Sequence, residues 1–206
     1  MPNWAVTYYK FCSDDKEQLE KFRSELTEAV KTVYHKSDFG KRWLGNILYH
    51  FGLTHNDAVC RGTLEDLDSE VTEENGYYSF LATTESAWSP CVQMWVLIFK
   101  KHFPNIQFAF SSEEPGNGLY AKMGCDFFEY PEKYIVDACI NDHDAYEYFV
   151  TEEEAIAYLK EYFDEVGLKI ESTSLSDIEK EVNEKIDKKD FFIIRLFEDV
   201  DINAFD

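Results

Sequence analysis

Hydrophobic residues at alternating positions and then at helical spacing predict a first strand followed by an amphipathic helix. Residues 4–11 are mostly aromatic or β-branched, which is typical of a strand. Apolar residues then recur at steps of three and four, which places them on one face of a helix. This stripe consists of Leu19, Phe22, Leu26, Ala29, Val30 and Val33. Ser13 precedes an acidic first turn, so it is the predicted N-cap of the helix.

The pattern continues with helices and strands up to residue 140. It predicts a short helix over residues 41–51, strands over 57–67 and 77–84, and an acidic loop over 68–76 between them. Ser89 and Pro90 predict the start of a buried helix, because serine caps helices and proline is tolerated at their first position. That helix should end before Pro104. Alternation predicts strands near residues 106–110, 119–123 and 134–140, with a turn over 113–118.

The last third of the chain is predicted to be helical and then extended. In a capping box, two side chains satisfy the first free N–H groups of a helix. Two residue pairs match this motif, Thr151 with Glu154 and Ser176 with Glu179. Gly167 is the expected stop of the first of these helices. Residues 191–197 predict a final strand.

The order of the elements predicts the α+β fold class. The first six follow the split βαβ order of the ferredoxin-like fold, so the helices at 13–34 and 89–103 should lie on one face of a single sheet. No repeat, low-complexity tract or Gly/Ser linker interrupts the chain. We therefore expect a ferredoxin-like core domain over 1–140 and an acidic extension over 141–206. This C-terminal β-rich and helical extension should pack on the same body.

The acidic balance of the chain limits its partners. Its 206 residues include 41 Asp and Glu against 20 Lys and Arg, a net charge of −21. Phosphate backbones and anionic membranes need basic surface, so direct nucleic-acid and membrane binding are not expected, whereas a basic protein partner is. Aromatic residues make up 17% of the chain, which excludes general disorder. Without a basic, apolar leader or a long uncharged run, a cytoplasmic protein is expected.

Carboxylate clusters are the main candidate feature. Each one singly is explained by solvated surface or by a helix start, where acids favour the dipole. Together, however, a charge of −21 costs self-repulsion, so we hypothesise that part of it contacts a partner. The candidate partner-binding residues are Glu65, Asp66, Asp68, Glu70, Glu73 and Glu74 along one loop edge, and Asp142, Asp144 and Glu147, with Glu152 to Glu154, in a second patch.

No motif predicts a reaction or a cofactor. His50, His55 and Cys60 form the one local group of soft ligands, but zinc sites usually contain short Cys-x-x-Cys pairs, so no metal site is predicted. Ser89 could be a nucleophile, and His143 between Asp142 and Asp144 could be an oriented imidazole. A helix cap and a polar surface turn explain these residues more simply. Hydrolase, metalloprotease and phosphate-loop motifs are absent, so no catalytic residue is predicted.

Three motifs give the chain a resemblance to a known family. They are Pro2-Asn3-Trp4 before the first strand, Trp88-Ser89-Pro90 before an aromatic helix that ends in His102-Phe103-Pro104, and Glu113-Glu114-Pro115-Gly116. With these motifs, residues 2–140 resemble the YubB-like ferredoxin-domain family of plasmid, phage and mobile-element proteins. Members often have a second proline after Trp-Ser-Pro, where this chain has Cys91. The resemblance implies a ferredoxin-like domain in a mobile element and no catalytic residues. Trp88, Glu113 and Glu114 are the loop candidates within these motifs.

Two functions of different classes follow. The first is a non-catalytic acidic interaction protein of a mobile element, which binds a basic or nucleic-acid-binding host protein by mimicking an array of phosphates. The alternative is a hydrolytic or divalent-cation-dependent enzyme that uses acidic loops and one histidine. A histidine–carboxylate pocket would favour the enzyme, and an even acidic ridge would favour the interaction protein. A third possibility is that the charge serves only solubility.

All five cysteines are predicted to be reduced thiols. Their number is odd and they are scattered through apolar runs, unlike the dense, even-numbered cysteines of a disulfide-rich domain. The five are Cys12, Cys60, Cys91, Cys125 and Cys139. Alkylation of the protein after unfolding without reductant, followed by mass spectrometry, should therefore label five thiols. A stoichiometric intramolecular bridge in the protein as isolated would contradict this prediction.

Overall fold

In the computed structural model, which describes residues 3–36 and 39–202, helices and strands combine into a fold of the α+β class. The earlier elements are β1 (Trp4–Ser13), α1 (Lys16–Ala29), a 3₁₀ turn (Gly40–Arg42), α2 (Leu44–His50), β2 (Gly62–Leu67), β3 (Thr72–Glu74), β4 (Tyr77–Ala87), α3 (Val92–His102), β5 (Gln107–Glu114) and β6 (Leu119–Met123). The later elements are β7 (Tyr134–Ile140), β8 (His143–Phe149), α4 (Glu152–Val166), α5 (Leu175–Lys185), β9 (Phe191–Leu196) and β10 (Glu198–Asp199). None of the helices in the described residues is long and apolar enough to cross a bilayer.

The described chain divides into two compact units. One contains the described residues up to Tyr130 together with 199–202, and the other contains Pro131–Glu198. The division therefore falls after Tyr130, whereas the sequence predicts a boundary after residue 140. The reason is that β7 pairs with β8 on one side and with β9 on the other, so it belongs to the second unit.

β1 lies inside the first sheet, whose strand order is β10-β6-β5-β1-β4-β2, with β3 also paired to β4. It runs antiparallel to both neighbours, and Phe11 lies opposite Phe80 of β4 and Phe108 of β5. The strand predicted over 4–11 is thus confirmed in a central position, where aromatic and β-branched residues pack well. β2 begins at Gly62 and not at residue 57. A Cβ at Gly62 would lie 2.3 Å from the Glu85 carbonyl oxygen, so the strands approach too closely there for a side chain.

Both long helices of the first unit pack on the same face of this sheet, as expected. Tyr9 and Phe11 of β1 point towards them and are fully buried. The Phe22 ring of α1 lies 4.9 Å from the Phe99 ring of α3 and 5.2 Å from the Phe11 ring. Edge-to-face aromatic contacts of this kind stabilise a core beyond the area that they bury. The layer of rings therefore fixes the two helices against each other and against β1.

The start of α1 differs from the sequence prediction. β1 continues through Ser13, whose hydroxyl donates to the Asn105 carbonyl and accepts from the Asp15 N–H. The N-cap is Asp15, whose carboxylate accepts from the Gln18 N–H at 3.0 Å. Ser13 is therefore not the cap, because its hydroxyl is used where the strand ends.

Two other predicted caps are also displaced. α3 begins at Val92, and its N-cap, Cys91, makes no side-chain capping hydrogen bond. Ser89 instead accepts a hydrogen bond from the Ser86 hydroxyl through its carbonyl oxygen. α5 is capped by Ser174 and not by Ser176, whereas the Thr151 capping box of α4 is confirmed.

The second unit has its own three-stranded sheet and core. The strand order is β8-β7-β9, and α4 and α5 contribute Leu159, Phe163 and Val182 to its apolar cluster. The sequence predicts a polar turn over residues 142–144 and no strand at the position of β8. That turn is limited to Asn141 and Asp142, which have φ values of +52° and +65°. Two successive left-handed residues favour a tight hairpin, because their twist matches that of the paired strands.

Candidate partner-binding face

The side of β1 that faces away from the helices carries a row of half-exposed apolar side chains. Trp4 is 39% exposed and Tyr8 47% exposed, and Val6 between them is partly exposed. On β4, Leu81 is 48% exposed and lies two residues from Thr83, which is directly opposite Tyr8. Directly paired strand residues point to the same face, so these side chains form one surface. We call it the open face, and it consists of Trp4, Val6, Tyr8, Leu81, Thr83 and Glu85.

The open face ends where residues 124–130, which we call the crossing segment, cover the same strand. The Lys10 ammonium lies 4.0 Å from the centre of the Phe128 ring, and the Tyr130 hydroxyl donates to the Tyr8 carbonyl at 3.0 Å. Beyond this point Lys10 is only 8% exposed and Cys12 is fully buried. Part of the second sheet face is therefore covered by this unit's own chain, whereas Trp4, Tyr8 and Leu81 remain partly exposed.

Acidic residues border the open face along the neighbouring edge strand. Asp66 of β2 lies opposite Thr83. Just beyond β2, the Asp68 N–H donates to the Leu81 carbonyl, and its carboxylate accepts from the Leu81 N–H at 2.7 Å. Glu65 occupies an irregularity in the β2 pairing, and its carbonyl and that of Leu64 accept from the Arg42 guanidinium. The carboxylates of Asp66 and Asp68 therefore flank the apolar centre.

The acidic loop predicted over 68–76 is not a single edge. It contains β3, which pairs with β4. Glu73 lies opposite Tyr78 and Glu74 opposite Tyr77, so the two carboxylates point to opposite faces of the sheet. Glu74 is paired with Lys10 at 2.6 Å, and the ammonium holds the pKa of Glu74 below its usual value. Glu70 is exposed in the connection before β3.

The second predicted patch does not come together either. Asp142 is in the hairpin turn, whereas Asp144 and Glu147 lie on β8. These two strand residues are an odd number of positions apart, so their side chains point to opposite faces. At the start of α4, Glu154 completes the capping box and Glu152 accepts from the Leu175 N–H. Those two acids therefore have structural roles.

Trp88 is the loop candidate whose geometry fits a contact with a partner. Its φ is +74°, a left-handed conformation that bulky residues rarely adopt, and its side chain is 47% exposed. Such a conformation costs on the order of 1–3 kcal/mol and is often found at functional sites. Its N–H donates to the Asn3 carbonyl, immediately after Ala87, which lies opposite Trp4. The backbone therefore places the Trp88 indole beside the end of the open face.

The other two loop candidates are buried. Glu114 is 2% exposed, and its carboxylate accepts from the N–H groups of Gly116 and Asn117, both at 2.8 Å. A Cβ at Gly116 would lie 2.3 Å from the Asn3 amide nitrogen, so this turn is tightly packed. Glu113 is 9% exposed and lies opposite Val6. Glu114 therefore stabilises the turn after β5 and does not face a partner.

A hydrogen-bonded Tyr–His–Glu group connects α1, the loop after it and α2, and the sequence analysis does not predict it. The Tyr34 hydroxyl is 2.7 Å from His50 Nδ1, and His50 Nε2 is 2.6 Å from a Glu25 carboxylate oxygen. A carboxylate can only accept, so a neutral imidazole here donates to Glu25 and accepts from Tyr34. The residues come from α1, from the loop after it and from α2, so no local motif reveals the group.

Asn46 holds the loop that carries Tyr34. This fully buried amide accepts from the N–H groups of Tyr34 and His35, and it donates to the carbonyls of Gly40 and Lys41. His55 is bonded separately, through Nδ1, to the Tyr49 hydroxyl at 2.7 Å. His50, His55 and Cys60 thus do not converge. Among the described residues, no group of three or more His, Cys, Asp or Glu side chains is arranged to hold a metal ion.

Comparison of the chain with protein-family models, with curated proteins and with solved structures finds no match.

Replacing Glu114 by alanine should destabilise the protein far more than replacing Glu70. Loss of the buried Glu114 carboxylate leaves two N–H groups without their acceptor, which should cost about 2 kcal/mol or more. Glu70→Ala changes an exposed acid and should shift the free energy of unfolding by less than about 0.5 kcal/mol. Urea unfolding of the two variants measures this difference. Equal midpoints would show that Glu114 has no structural role.

Proposed function

We propose that the chain is a non-catalytic acidic interaction protein of a mobile element, and that it binds a basic host protein through the open face and its acidic border. We further propose that its first unit is a ferredoxin-like domain. This assignment is supported by the strand order in the sheet, which is β5-β1-β4-β2. Along the chain, α1 lies between β1 and β2, and α3 lies between β4 and β5. It is the arrangement expected of a split βαβ core.

The observation that carries the proposal is the combination of exposed aromatic side chains with adjacent carboxylates. Trp4, Tyr8 and Trp88 are each between 39% and 47% exposed, although large aromatic residues are usually buried. Aromatic residues at the centre of an interface commonly provide most of its binding energy. Charges at the border mainly raise the association rate and select the partner. Asp66, Asp68 and Glu85 are placed to act in this second way.

A basic, nucleic-acid-binding partner fits this surface better than other classes of protein. Residues two positions apart in extended backbone are separated by roughly 7 Å, so Asp66 of β2 and Asp68 just beyond it present a short row of negative charge. Such a row attracts the lysine and arginine side chains that otherwise contact phosphates. Nucleic acid itself is repelled by the net charge of −21.

Reversing charge at the border of the open face should weaken partner binding more than the same change elsewhere. The test variant is Asp66→Lys with Glu85→Lys, and the matched control is Glu70→Lys with Glu73→Lys, since Glu73 points to the helix side of the sheet. Binding to the basic protein isolated from the native host is measured across a salt series. The border variant should associate about tenfold more slowly, because it loses the electrostatic attraction to a basic partner. Its association rate should also depend less on salt, since salt screens that attraction over about 8 Å at physiological ionic strength.

Two further measurements complete the test. Tyr8→Thr keeps a strand-forming residue but removes the ring, and it should raise the dissociation constant by about tenfold or more. DNA or RNA should compete with this protein for the partner if the border mimics phosphates, whereas simultaneous binding would indicate ordinary acidic docking. Unchanged affinity and an unchanged salt slope in the border variant would leave solubility as the role of the charge.

The Tyr34–His50–Glu25 group supports a second candidate function, an enzyme that uses general acid–base chemistry. A carboxylate behind an imidazole orients it and stabilises its protonated form, so His50 could take the Tyr34 proton. The Tyr34 side chain is 44% exposed, so a small electrophile can reach it.

If this group is functional, Tyr34 should be unusually reactive towards a small acylating reagent such as N-acetylimidazole. His50→Gln removes the base and should slow acetylation of Tyr34 by at least about tenfold. The matched control is His55→Gln, which removes the histidine bonded to Tyr49. Mass spectrometry of the labelled peptides measures both rates. Equal labelling of Tyr34 in the two variants would end the enzyme hypothesis based on this group.

A further inference from the structure

We propose that Cys12 and Cys125 form a redox-active dithiol site that reduces small hydroperoxides, with Cys125 as the attacking thiolate and Cys12 as the resolving thiol. The site lies at the covered end of β1, where the crossing segment packs over the strand. It is independent of the partner-binding function.

Hydrogen bonds from the crossing segment to the sheet place the two cysteines together. Cys12 lies directly opposite Gln107 of β5. The Gln107 amide donates to the Asp126 carboxylate at 2.8 Å and accepts from the Asp126 N–H at 3.0 Å. The residue after Cys125 is thus fixed to the strand neighbour of Cys12. The Cys125 N–H also donates to the Phe128 carbonyl at 2.9 Å, and the two cysteine side chains lie close enough for each to influence the pKa of the other.

The environment makes Cys125 the thiolate of the pair. The interaction with Cys12 is the largest influence on Cys125. Together with the backbone N–H groups of Phe127 and Phe128 it outweighs burial and the nearby Asp126, so the pKa of Cys125 falls to about 6. The same interaction, burial and the Glu74 carboxylate raise the pKa of Cys12 despite the nearby Lys10 ammonium. At neutral pH the pair is therefore one thiolate beside a neutral thiol, which is the arrangement of a reactive cysteine and its resolving partner.

The other three thiols provide a contrast within the same chain. Burial raises the pKa of Cys60 to about 11 and that of Cys91 to about 12. The pKa of Cys139 is raised chiefly by its hydrogen bond with Asp144. Selective reaction at Cys125 is therefore a property of its position and not of cysteines in general.

The surroundings of Cys125 favour a small, neutral oxidant. Cys125 is partly exposed and lines a cavity of about 310 Å³ whose walls include Phe99, Phe108 and Met123. The negative charge of glutathione disulfide is opposed by Asp126 and by the net charge of −21. Hydrogen peroxide and small alkyl hydroperoxides are neutral and small enough to reach the sulfur from this cavity.

The reaction balances without any other group. The Cys125 thiolate sulfur attacks the terminal oxygen of the hydroperoxide, the O–O bond breaks, and the leaving alkoxide or hydroxide takes a proton from solvent water to give an alcohol or water. Cys125 is then a sulfenic acid. The Cys12 sulfur attacks it, an S–S bond forms, the S–O bond breaks, and water leaves with the Cys12 proton. The dithiol has lost two electrons to the peroxide, and a dithiol reductant restores it.

The test uses the full chain, fully reduced and freed of reductant. One equivalent of hydrogen peroxide at pH 7 should produce a Cys12–Cys125 disulfide that peptide mapping identifies and dithiothreitol reverses. Cys12→Ser should stop at a sulfenic acid on Cys125 that dimedone traps, and Cys125→Ser should form no bridge. The matched control, Cys60→Ser, removes a buried thiol and should behave as the wild type does.

A second measurement needs no variant. Iodoacetamide should alkylate Cys125 in the folded wild type at least about tenfold faster than the other thiols at pH 7, even though a low-pKa thiolate is intrinsically less nucleophilic. The rate should be half-maximal near pH 6. Uniform alkylation, or no Cys12–Cys125 bridge in peroxide-treated wild type, would overturn the proposal. Faster oxidation by glutathione disulfide than by hydrogen peroxide would overturn the assignment of the oxidant.

Discussion

The packing of Phe11 against both long helices is the interaction on which the first unit depends. Its ring lies 5.2 Å from Phe22 of α1 and 5.1 Å from Trp95 of α3, so one residue of β1 joins the sheet to both helices. Since strand side chains alternate, burying Tyr9 and Phe11 against the helices directs Tyr8, Lys10 and Cys12 to the opposite face. Every feature of that second face follows from this arrangement.

The second face is divided by the crossing segment, and the two proposed activities lie on either side of this division. Where the segment packs, the Lys10 ammonium contacts Glu74 and the Phe128 ring, and the Cys12 thiol lies beside the Cys125 thiol. Where it ends, at the hydrogen bond from Tyr130 to the Tyr8 carbonyl, the open face begins. Covering only part of a sheet face leaves apolar area in water. That exposure is unfavourable for the isolated chain but suits a surface that is buried on binding.

The carboxylates separate into two groups according to whether the backbone uses them. Glu114 and Glu154 accept from backbone N–H groups, and Glu181 does so too while pairing with Lys185, which lowers its pKa to about 2. Asp66, Glu70 and Glu73 have exposed side chains on the edge strand or beside it. Asp68 belongs to both groups, because it borders the open face and also accepts from Leu81. Net charge alone therefore does not identify an interaction surface, since part of it stabilises turns and helix starts.

The sequence by itself determined the fold class, most strands and the amphipathic helices, because periodicity depends on which residues must leave water. It also determined the Thr151 capping box, which is a local motif. Only the tertiary structure decided that Ser13 ends a strand, that Glu74 pairs with Lys10, and that Asp144 and Glu147 diverge. The Tyr34–His50–Glu25 group and the Cys12–Cys125 pair join residues that are far apart in sequence, the latter by 113 positions. Such groups form only when the sheet and helices have packed, so no local pattern along the chain could reveal them.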